Sequence, residues 1–208
     1  MSILVSTDEW LNELRTRLPG ISGGQLDLEL KATLREFFTE SGFWMEEPSP
    51  INIVANKDTY KITYPQAKVM GVHRVWVDGL PIALSTTLPK TENPGSGARQ
   101  AYMLEHDLMQ LFPTPDKDIQ DGLKVLVRLN PSQSMTKVPS ETVSHFFDYV
   151  LDGVLGRLYS QPGKPYTNLT QGVYHLRRFR NGISLARDIG RKRYGNATRP
   201  WQFPQGWM

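Results

Sequence analysis

The chain has 208 residues, no cysteine, and a formal net charge of +3 from 24 Lys and Arg against 21 Asp and Glu. The lack of cysteine excludes disulfides, zinc–thiolate sites and thiol catalysis, and no stretch approaches the roughly 20 apolar residues of a membrane helix. Residues 1–18 carry acidic and polar side chains where a signal peptide has a basic start and an apolar run, so we expect synthesis in a cytoplasm.

The charges are unevenly distributed along the chain. From Lys164 onward nine basic residues stand against one acid, Asp188, which gives this part +8 and leaves −5 for the residues before it. Such a division suits binding to nucleic acid, to an acidic protein surface, or head-to-tail between copies of the chain.

Two amphipathic helices are predicted near the N-terminus. Residues 6–9 (Ser-Thr-Asp-Glu) have the pattern of a capping box, and the apolar period that follows ends at Pro19 and Gly20. Gly23 and Gly24 are interpreted as a flexible joint, since no phosphate-binding pattern follows them. The helical period resumes over residues 26–43.

After Pro48 the composition changes to β-branched and aromatic residues with turn signals. The predicted strands are 51–54, 59–63, 69–77, 80–85, 102–105, 108–112 and 123–129. Asp78 and Gly79 predict a hairpin turn, and the polar residues 89–100 predict an exposed loop. We therefore expect residues 49–131 to form a mainly antiparallel β subdomain, inserted between a helical pair (1–48) and a second helical pair (132–195).

The second helical pair is predicted from apolar periodicity. Residues 140–160 repeat apolar side chains at three- and four-residue steps, with Ser140 as the N-cap. Pro162 and Pro165 interrupt the helix, and a short connection of this kind favours antiparallel packing of the next helix. That helix begins near Asn168 and has a narrower seam: Leu169, Val173, Leu176, Phe179, Ile183, Ala186 and Ile189.

The opposite face of the last helix is predicted to be basic. Its cations are Arg177, Arg178, Arg180, Arg187, Arg191, Lys192 and Arg193. They could neutralise phosphates in a salt-sensitive, sequence-independent manner, or they could line a contact between proteins. Arg outnumbers Lys six to one here, which favours a protein interface, where Arg is enriched and Lys is depleted.

Residues 196–208 have no apolar period, two prolines and three large aromatics. Ordering such a segment costs about 1–2 kcal/mol per residue in backbone entropy. Burial of Trp201, Phe203 and Trp207 contributes only about 1.5–3 kcal/mol each. We expect an extended arm that becomes ordered on a partner; packing on its own domain is the alternative.

No catalytic or metal motif emerges from the sequence. The histidines are His73, His106, His145 and His175, and none has the four-residue spacing of a helical metal pair. Residues 105–107 (Glu-His-Asp) are interpreted as a strand end or turn, and Glu36 and Glu40 as part of a solvated face. His145 and His175 could meet across the helical hairpin, with an ordinary polar contact as the expected outcome. We therefore predict no catalytic residues, no metal and no cofactor.

Several segments resemble the head-to-tail adaptor, or head completion, proteins of short-tailed bacteriophages. They are residues 30–38 (Leu-Lys-Ala-Thr-Leu-Arg-Glu-Phe-Phe) with 41–44, then a β insertion, then 155–166, and Phe179-x-x-Gly-Ile-x-x-Ala-Arg187. Together they cover about half of the chain in the expected order. The sequence departs from the family at residues 138–143 (Val-Pro-Ser-Glu-Thr-Val), where an acidic residue followed by tryptophan is expected.

The resemblance implies a structural virion protein without catalytic activity. Such proteins form a ring, usually a dodecamer, beneath the portal protein and around the channel through which DNA passes without sequence specificity, and they contact further tail proteins such as a nozzle or fibres. It implies portal contacts from the arm, at Arg199, Pro200, Trp201, Phe203, Pro204 and Trp207. The excess of Arg over Lys on the last helix predicts that Arg177, Arg180, Arg187 and Arg191 act at an intersubunit or portal interface. The alternative is a DNA-binding structural protein that uses the basic C-terminal helix, and an enzyme comes third.

Overall fold

The computed structural model describes residues 3–85 and 99–194, which form an α+β fold of helices, one curled mixed sheet of eight strands and a separate two-stranded sheet. The helices are α1 (Asp8–Arg17), α2 (Gly23–Ser41), α3 (Ser140–Tyr159) and α4 (Leu169–Tyr194). The strands are β1 (Leu4–Ser6), β2 (Met45–Glu46), β3 (Ile51–Ile53), β4 (Thr59–Lys61), β5 (Ala67–Val77), β6 (Leu80–Ser85), β7 (Gln100–Met103), β8 (Leu108–Phe112), β9 (Ile119–Pro131) and β10 (Lys137–Pro139).

The long strands β5 and β9 are the centre of the sheet. The strand order is β2-β9-β5-β6-β7-β8-β4, and β3 also pairs with β9. Among the described strands only β6 and β7 pair in parallel. Two register shifts in β5, at Val69/Gly71 and Val72/Arg74, bend the strand as β-bulges do and so help to curl the sheet.

The predicted hairpin turn is confirmed. Asp78 and Gly79 both have positive φ, 53° and 76°, as the favoured two-residue hairpin turn requires. The other predicted strands are found at or near their predicted places, with β9 several residues longer at both ends. The structure adds β1, β2 and β10, and β2 joins the sheet before residue 49 because Met45 pairs with Arg128.

Two predicted helix caps are wrong. Ser6 lies in β1, opposite Lys137 of β10, so Thr7 takes the N-cap position of α1 and makes no side-chain cap. Ser140 is the first residue of α3 and follows Pro139, which has no capping side chain. Instead the Ser140 amide donates to the carbonyl of Ile3 at 2.7 Å, because the β1–β10 pair brings the N-terminal strand to the start of α3.

The predicted joint at Gly23 and Gly24 is also wrong, since both residues belong to the first turn of α2. Ser22 is the N-cap, and its hydroxyl accepts from the amide of Gln25 at 3.3 Å. An N-cap of this kind satisfies one of the free amides of the first turn, so the helix begins three residues before the predicted start.

Helices and sheet share one hydrophobic core, and α2 lies in the middle of it. On one side Phe38 contacts Trp44 beside β2, with ring centroids 5.4 Å apart. On another side Phe37 contacts Phe146 of α3 and Phe179 of α4, at 5.3 and 6.5 Å. The two C-terminal helices are therefore fixed to the rest of the fold through α2.

Glycine permits α3 and α4 to lie very close together. A Cβ atom on Gly153 would lie 2.5 Å from Thr33 Cγ2 and 2.8 Å from Phe179 Cδ2, and one on Gly182 would lie 2.5 Å from Tyr149 Cβ. Real Cβ atoms do not approach other atoms this closely. The two helices run antiparallel, because Tyr149 lies opposite Gly182 while the later Gly153 lies opposite the earlier Phe179.

Candidate interaction surface

The last described helix, α4, presents the surface on which sequence analysis placed the function. It has 26 residues and is therefore about 39 Å long at 1.5 Å per residue. Phe179, Ile183 and Ala186 of the predicted seam are buried, and the helix packs against α3 and α2. The side away from these contacts is available to a partner.

The predicted apolar seam is wrong at its first two members. Leu169 and Val173 are 64% and 68% exposed. In this first part of α4 it is Gly172 that lies against Ser160 of the preceding turn. Leu169 and Val173 lie on a different side of the helix from Gly172. Their side chains therefore project from the protein.

Further apolar side chains lie on the exposed side of α4. Tyr174 is 53% exposed and Leu185 is 45% exposed. Large apolar groups on the surface of one helix, interleaved with charged residues, are typical of a protein contact. The α4 surface, by which we mean Leu169, Val173, Tyr174, Leu185 and the exposed arginines between them, has this composition.

Three of the predicted cations are paired within the chain. Arg187 donates to the carbonyl of Glu40 at the end of α2, from Nε at 3.0 Å and from Nη2 at 2.7 Å. Arg178 pairs with Asp152 of α3, and Arg193 pairs with Glu141 at 2.5 Å. These arginines stabilise the position of α4, and their pairing partners are far away in sequence.

The remaining arginines of the predicted interface are exposed. Arg177, Arg180 and Arg191 make no hydrogen bond or ion pair to a residue within 3–85 or 99–194. The structure therefore divides the four predicted interface arginines: Arg187 is held by Glu40, whereas the other three are free to meet an external group.

A buried polar cluster joins α3 to α4. The side chain of Asp152 is 5% exposed, and its Oδ1 lies 2.7 Å from Nδ1 of His175. Nε of Arg178 lies 3.1 Å from Oδ2 as an ion pair without hydrogen-bond geometry. The rings of Tyr159 and Tyr174 pack around His175, with centroids 5.6 and 5.2 Å away.

This cluster favours the charged form of Arg178. A hydrogen bond from Arg178 to the Tyr174 hydroxyl at 3.4 Å, followed by the Asp152 carboxylate, raises the pKa of Arg178 above its ordinary value. Asp152 was missed because it stands within the apolar run of α3, between Leu151 and Gly153. A lone carboxylate in such a run is itself a signal, since a buried charge requires a partner.

The histidine interpretations are resolved by these contacts. His175 pairs with Asp152 and not with His145. His145 lies seven residues before Asp152 on α3, which is about 10 Å away along the helix axis. His106 lies in the turn between β7 and β8, as expected. No group of three His, Asp or Glu side chains in the described part of the chain could hold a metal.

Glu36 and Glu40 lie on a solvated face, as expected, with side chains 40% and 57% exposed, and each also meets an arginine. Glu36 accepts a hydrogen bond from Arg157 of α3, and the Glu40 carboxylate lies 3.6 Å from Nη2 of Arg187. Both contacts join α2 to the C-terminal helices. The carboxylates therefore help to set the position of the α4 surface.

The predicted arm, residues 196–208, lies outside the described residues. Its members Arg199, Pro200, Trp201, Phe203, Pro204 and Trp207 therefore stay predictions from sequence. None of the described helices is both long and apolar enough to cross a membrane. No protein-family model matches the chain, and no curated protein is detectably similar to it.

Proposed function

We propose that this protein is a structural head-to-tail adaptor of a short-tailed phage virion. It forms a homo-oligomeric ring under the portal protein, joins the capsid to the tail and surrounds the channel through which DNA passes. The observation that carries the proposal is the α4 surface, where free arginines stand among exposed apolar side chains. Arg and large apolar residues are the groups that interfaces favour.

The α4 surface suits a protein partner better than DNA. Leu169, Val173 and Leu185 are exposed beside the arginines, and a sugar–phosphate backbone offers few apolar groups to cover them. Three of the seven cations are already paired with carboxylates of the chain, which leaves fewer charges for phosphates. A DNA-binding structural protein is the second candidate, supported by the +8 charge of the C-terminal part.

The remaining elements have proposed places in this assembly. The antiparallel helical core would form the body of each ring subunit, and the β subdomain would contact the next tail protein, a nozzle or fibres. Residues 196–208 would extend along the portal with Trp201, Phe203 and Trp207 as anchors. Large aromatics buried in pockets dominate the energy of many interfaces.

Removal of charge from the α4 surface should weaken assembly. In Arg177→Gln/Arg180→Gln each lost exposed ion pair contributes about 0–1 kcal/mol, so portal binding or ring formation should fall by up to about 30-fold. Electron microscopy of the protein mixed with its portal would count rings, and sedimentation would give the affinity. Lys68→Gln/Lys124→Gln removes the same charge from exposed positions in the sheet and should leave both unchanged.

A normal ring count for the arginine variant, together with weaker and less salt-sensitive retention of random duplex DNA, would support the DNA-binding candidate instead. If the wild-type protein forms no ring with or without portal, the adaptor proposal itself is wrong.

Truncation after Thr198 should abolish portal binding while leaving a folded protein. The arm supplies the anchors, whereas the core described above ends with α4. Thermal unfolding monitors the fold, and pull-down with portal monitors binding. The matched control is Trp207→Phe, which keeps an aromatic anchor and should retain most of the affinity. Full portal affinity after the truncation would contradict the proposed role of the arm.

A further inference from the structure

A basic pocket lies where several distant parts of the chain meet. It has a volume of about 280 Å³ and is bounded by the end of α2, by β2, β5 and β9, and by the last turns of α4. Besides His73 of β5, the titratable side chains that line it are Arg128, Arg187, Arg191 and Glu40. Three guanidinium groups against one carboxylate leave an excess of positive charge in a confined space.

Arg187 and Glu40 occupy one side of this pocket and satisfy each other. Arg187 donates twice to the Glu40 carbonyl, and its Nη2 lies 3.6 Å from the Glu40 carboxylate. An arginine at this position binds a carbonyl that the end of α2 leaves without an intrahelical partner. The only carboxylate lining the pocket in the described part of the chain is therefore already engaged.

Arg128 has no such partner. It is half-buried, and a Cβ on Gly42 would lie 3.1 Å from its Cδ, so the side chain packs closely over the C-cap of α2. Its guanidinium makes no hydrogen bond or ion pair to any residue that the structure describes. A partly desolvated cation without a counter-ion is unfavourable, and an incoming anion would remove that cost.

Arg191 lines the pocket beside Arg128. It projects from the last turn of α4, is exposed, and like Arg128 has no counter-ion among the described residues. Two guanidinium groups from different elements, β9 and α4, thus border the same space. The planar fork of arginine matches the two oxygens of a carboxylate or the oxygens of a phosphate.

The surroundings favour a carboxylate on a protein over a phosphate of DNA. Met45 gives the pocket an apolar wall. A protein that inserts an acidic side chain can cover this apolar group as well. Duplex DNA presents its phosphates on a wide convex rod, which does not enter a pocket of about 280 Å³.

We propose that Arg128 and Arg191 bind an Asp or Glu side chain of the neighbouring copy in the ring. The inference rests on the proposed adaptor ring and names the contact that holds adjacent subunits together. A second copy fits because the chain supplies both charges: the C-terminal part carries +8, whereas the residues before Lys164 carry −5. Charge complementarity between opposite parts of one chain directs head-to-tail contacts.

Self-association of the purified full chain tests the contact directly. Sedimentation velocity over a range of concentration and salt should show association of the wild type that weakens as salt increases. Arg128→Gln/Arg191→Gln should weaken it by about tenfold or more, because two charge-assisted pairs are lost. The salt dependence should decrease in the same variant.

Two further variants exclude a folding artefact. Arg191→Glu changes only an exposed side chain. It reverses the charge, so it should weaken association at least as much as Arg191→Gln, which only removes the charge. Lys124→Gln removes an exposed cation from the same strand as Arg128, four residues earlier, and should have no effect. Thermal unfolding of every variant would show whether the fold is intact.

The other outcomes separate the inference from the proposed function. Wild-type affinity between copies in Arg128→Gln/Arg191→Gln would overturn the inference while leaving the ring intact. Loss of portal binding alone would show that the carboxylate belongs to the portal, and loss of DNA binding alone would show that the pocket binds phosphate; each overturns the assignment to a neighbouring copy. A wild type that does not associate even with portal would remove the proposed function together with the inference.

Discussion

Gly153→Val should lower the free energy of unfolding by about 3 kcal/mol, the upper end of the usual cost of overpacking a core. A Cβ at this position would lie 2.5 Å from Thr33 Cγ2 and 2.8 Å from Phe179 Cδ2. Thr33 and Phe179 are both almost completely buried, so neither can move into solvent. Chemical denaturation followed by far-ultraviolet circular dichroism would measure the change.

The matched control is Gly190→Ala, in the interior of α4. A Cβ there would lie 3.9 Å from Phe43 Cα, which is an ordinary contact. Alanine is favoured over glycine within helices by about 0.8–1 kcal/mol, so this variant should be as stable as the wild type or slightly more stable. Gly153→Ala should fall between the two. A Gly153→Val protein of wild-type stability would show that α3 and α4 do not approach as closely as described.

Asp152→Ala should destabilise the protein by about 2–4 kcal/mol, because it leaves the largely buried His175 without its hydrogen-bond partner and removes the ion-pair partner of Arg178. Asp152 is the acceptor for His175 Nδ1 and the ion-pair partner of Arg178. Without it, His175 remains largely buried between Tyr159 and Tyr174. Denaturant titration at neutral pH gives the loss directly.

Asp148→Ala is the control for this effect, since Asp148 lies one turn earlier on α3 and is exposed. Surface substitutions of this kind usually change stability by less than about 0.5 kcal/mol. Equal losses for the two variants would mean that the Asp152–His175–Arg178 cluster adds nothing beyond a surface charge. A double variant with His175→Ala would then measure how strongly the two residues are coupled.

The features that could be predicted from sequence are those set by local periodicity and turn chemistry. Phe146, Val150 and Val154 repeat at helical spacing and are buried on α3. Asp78 and Gly79 form a hairpin turn because few other residue pairs tolerate its backbone angles. The α+β class follows from the same signals.

The features that could not be predicted depend on contacts between distant segments. β1, β2 and β10 have only two or three residues each, which is too short to show an alternating pattern. Ser6 has the side chain of an N-cap, but its pairing with Lys137 draws it into a strand. Tertiary pairing overrides local preference at both places.

The candidate surface was predictable only in part for the same reason. The basic character of α4 is visible in the sequence, whereas the pairing of Arg187 depends on Glu40, 147 residues away. The role of Arg128 could not be predicted, because nothing in the sequence of its strand indicates that it borders a pocket with α4. Leu169 fits the helical period of a buried seam, but no residue within 3–85 or 99–194 covers it, and it is 64% exposed.

The central position of α2 has a consequence for how the protein is made. Trp10 stacks on Phe147 and donates its indole N–H to the Phe147 carbonyl, a partner 137 residues later in the chain, and Phe37 likewise packs on Phe146 and Phe179. At the usual synthesis rate of about 5–20 residues per second, the ribosome needs roughly 7–27 s to supply Phe147 after Trp10. During that interval the N-terminal helices expose aromatic side chains without their final partners, so we expect the emerging chain to present a surface of the kind that chaperones bind until α3 has been synthesised.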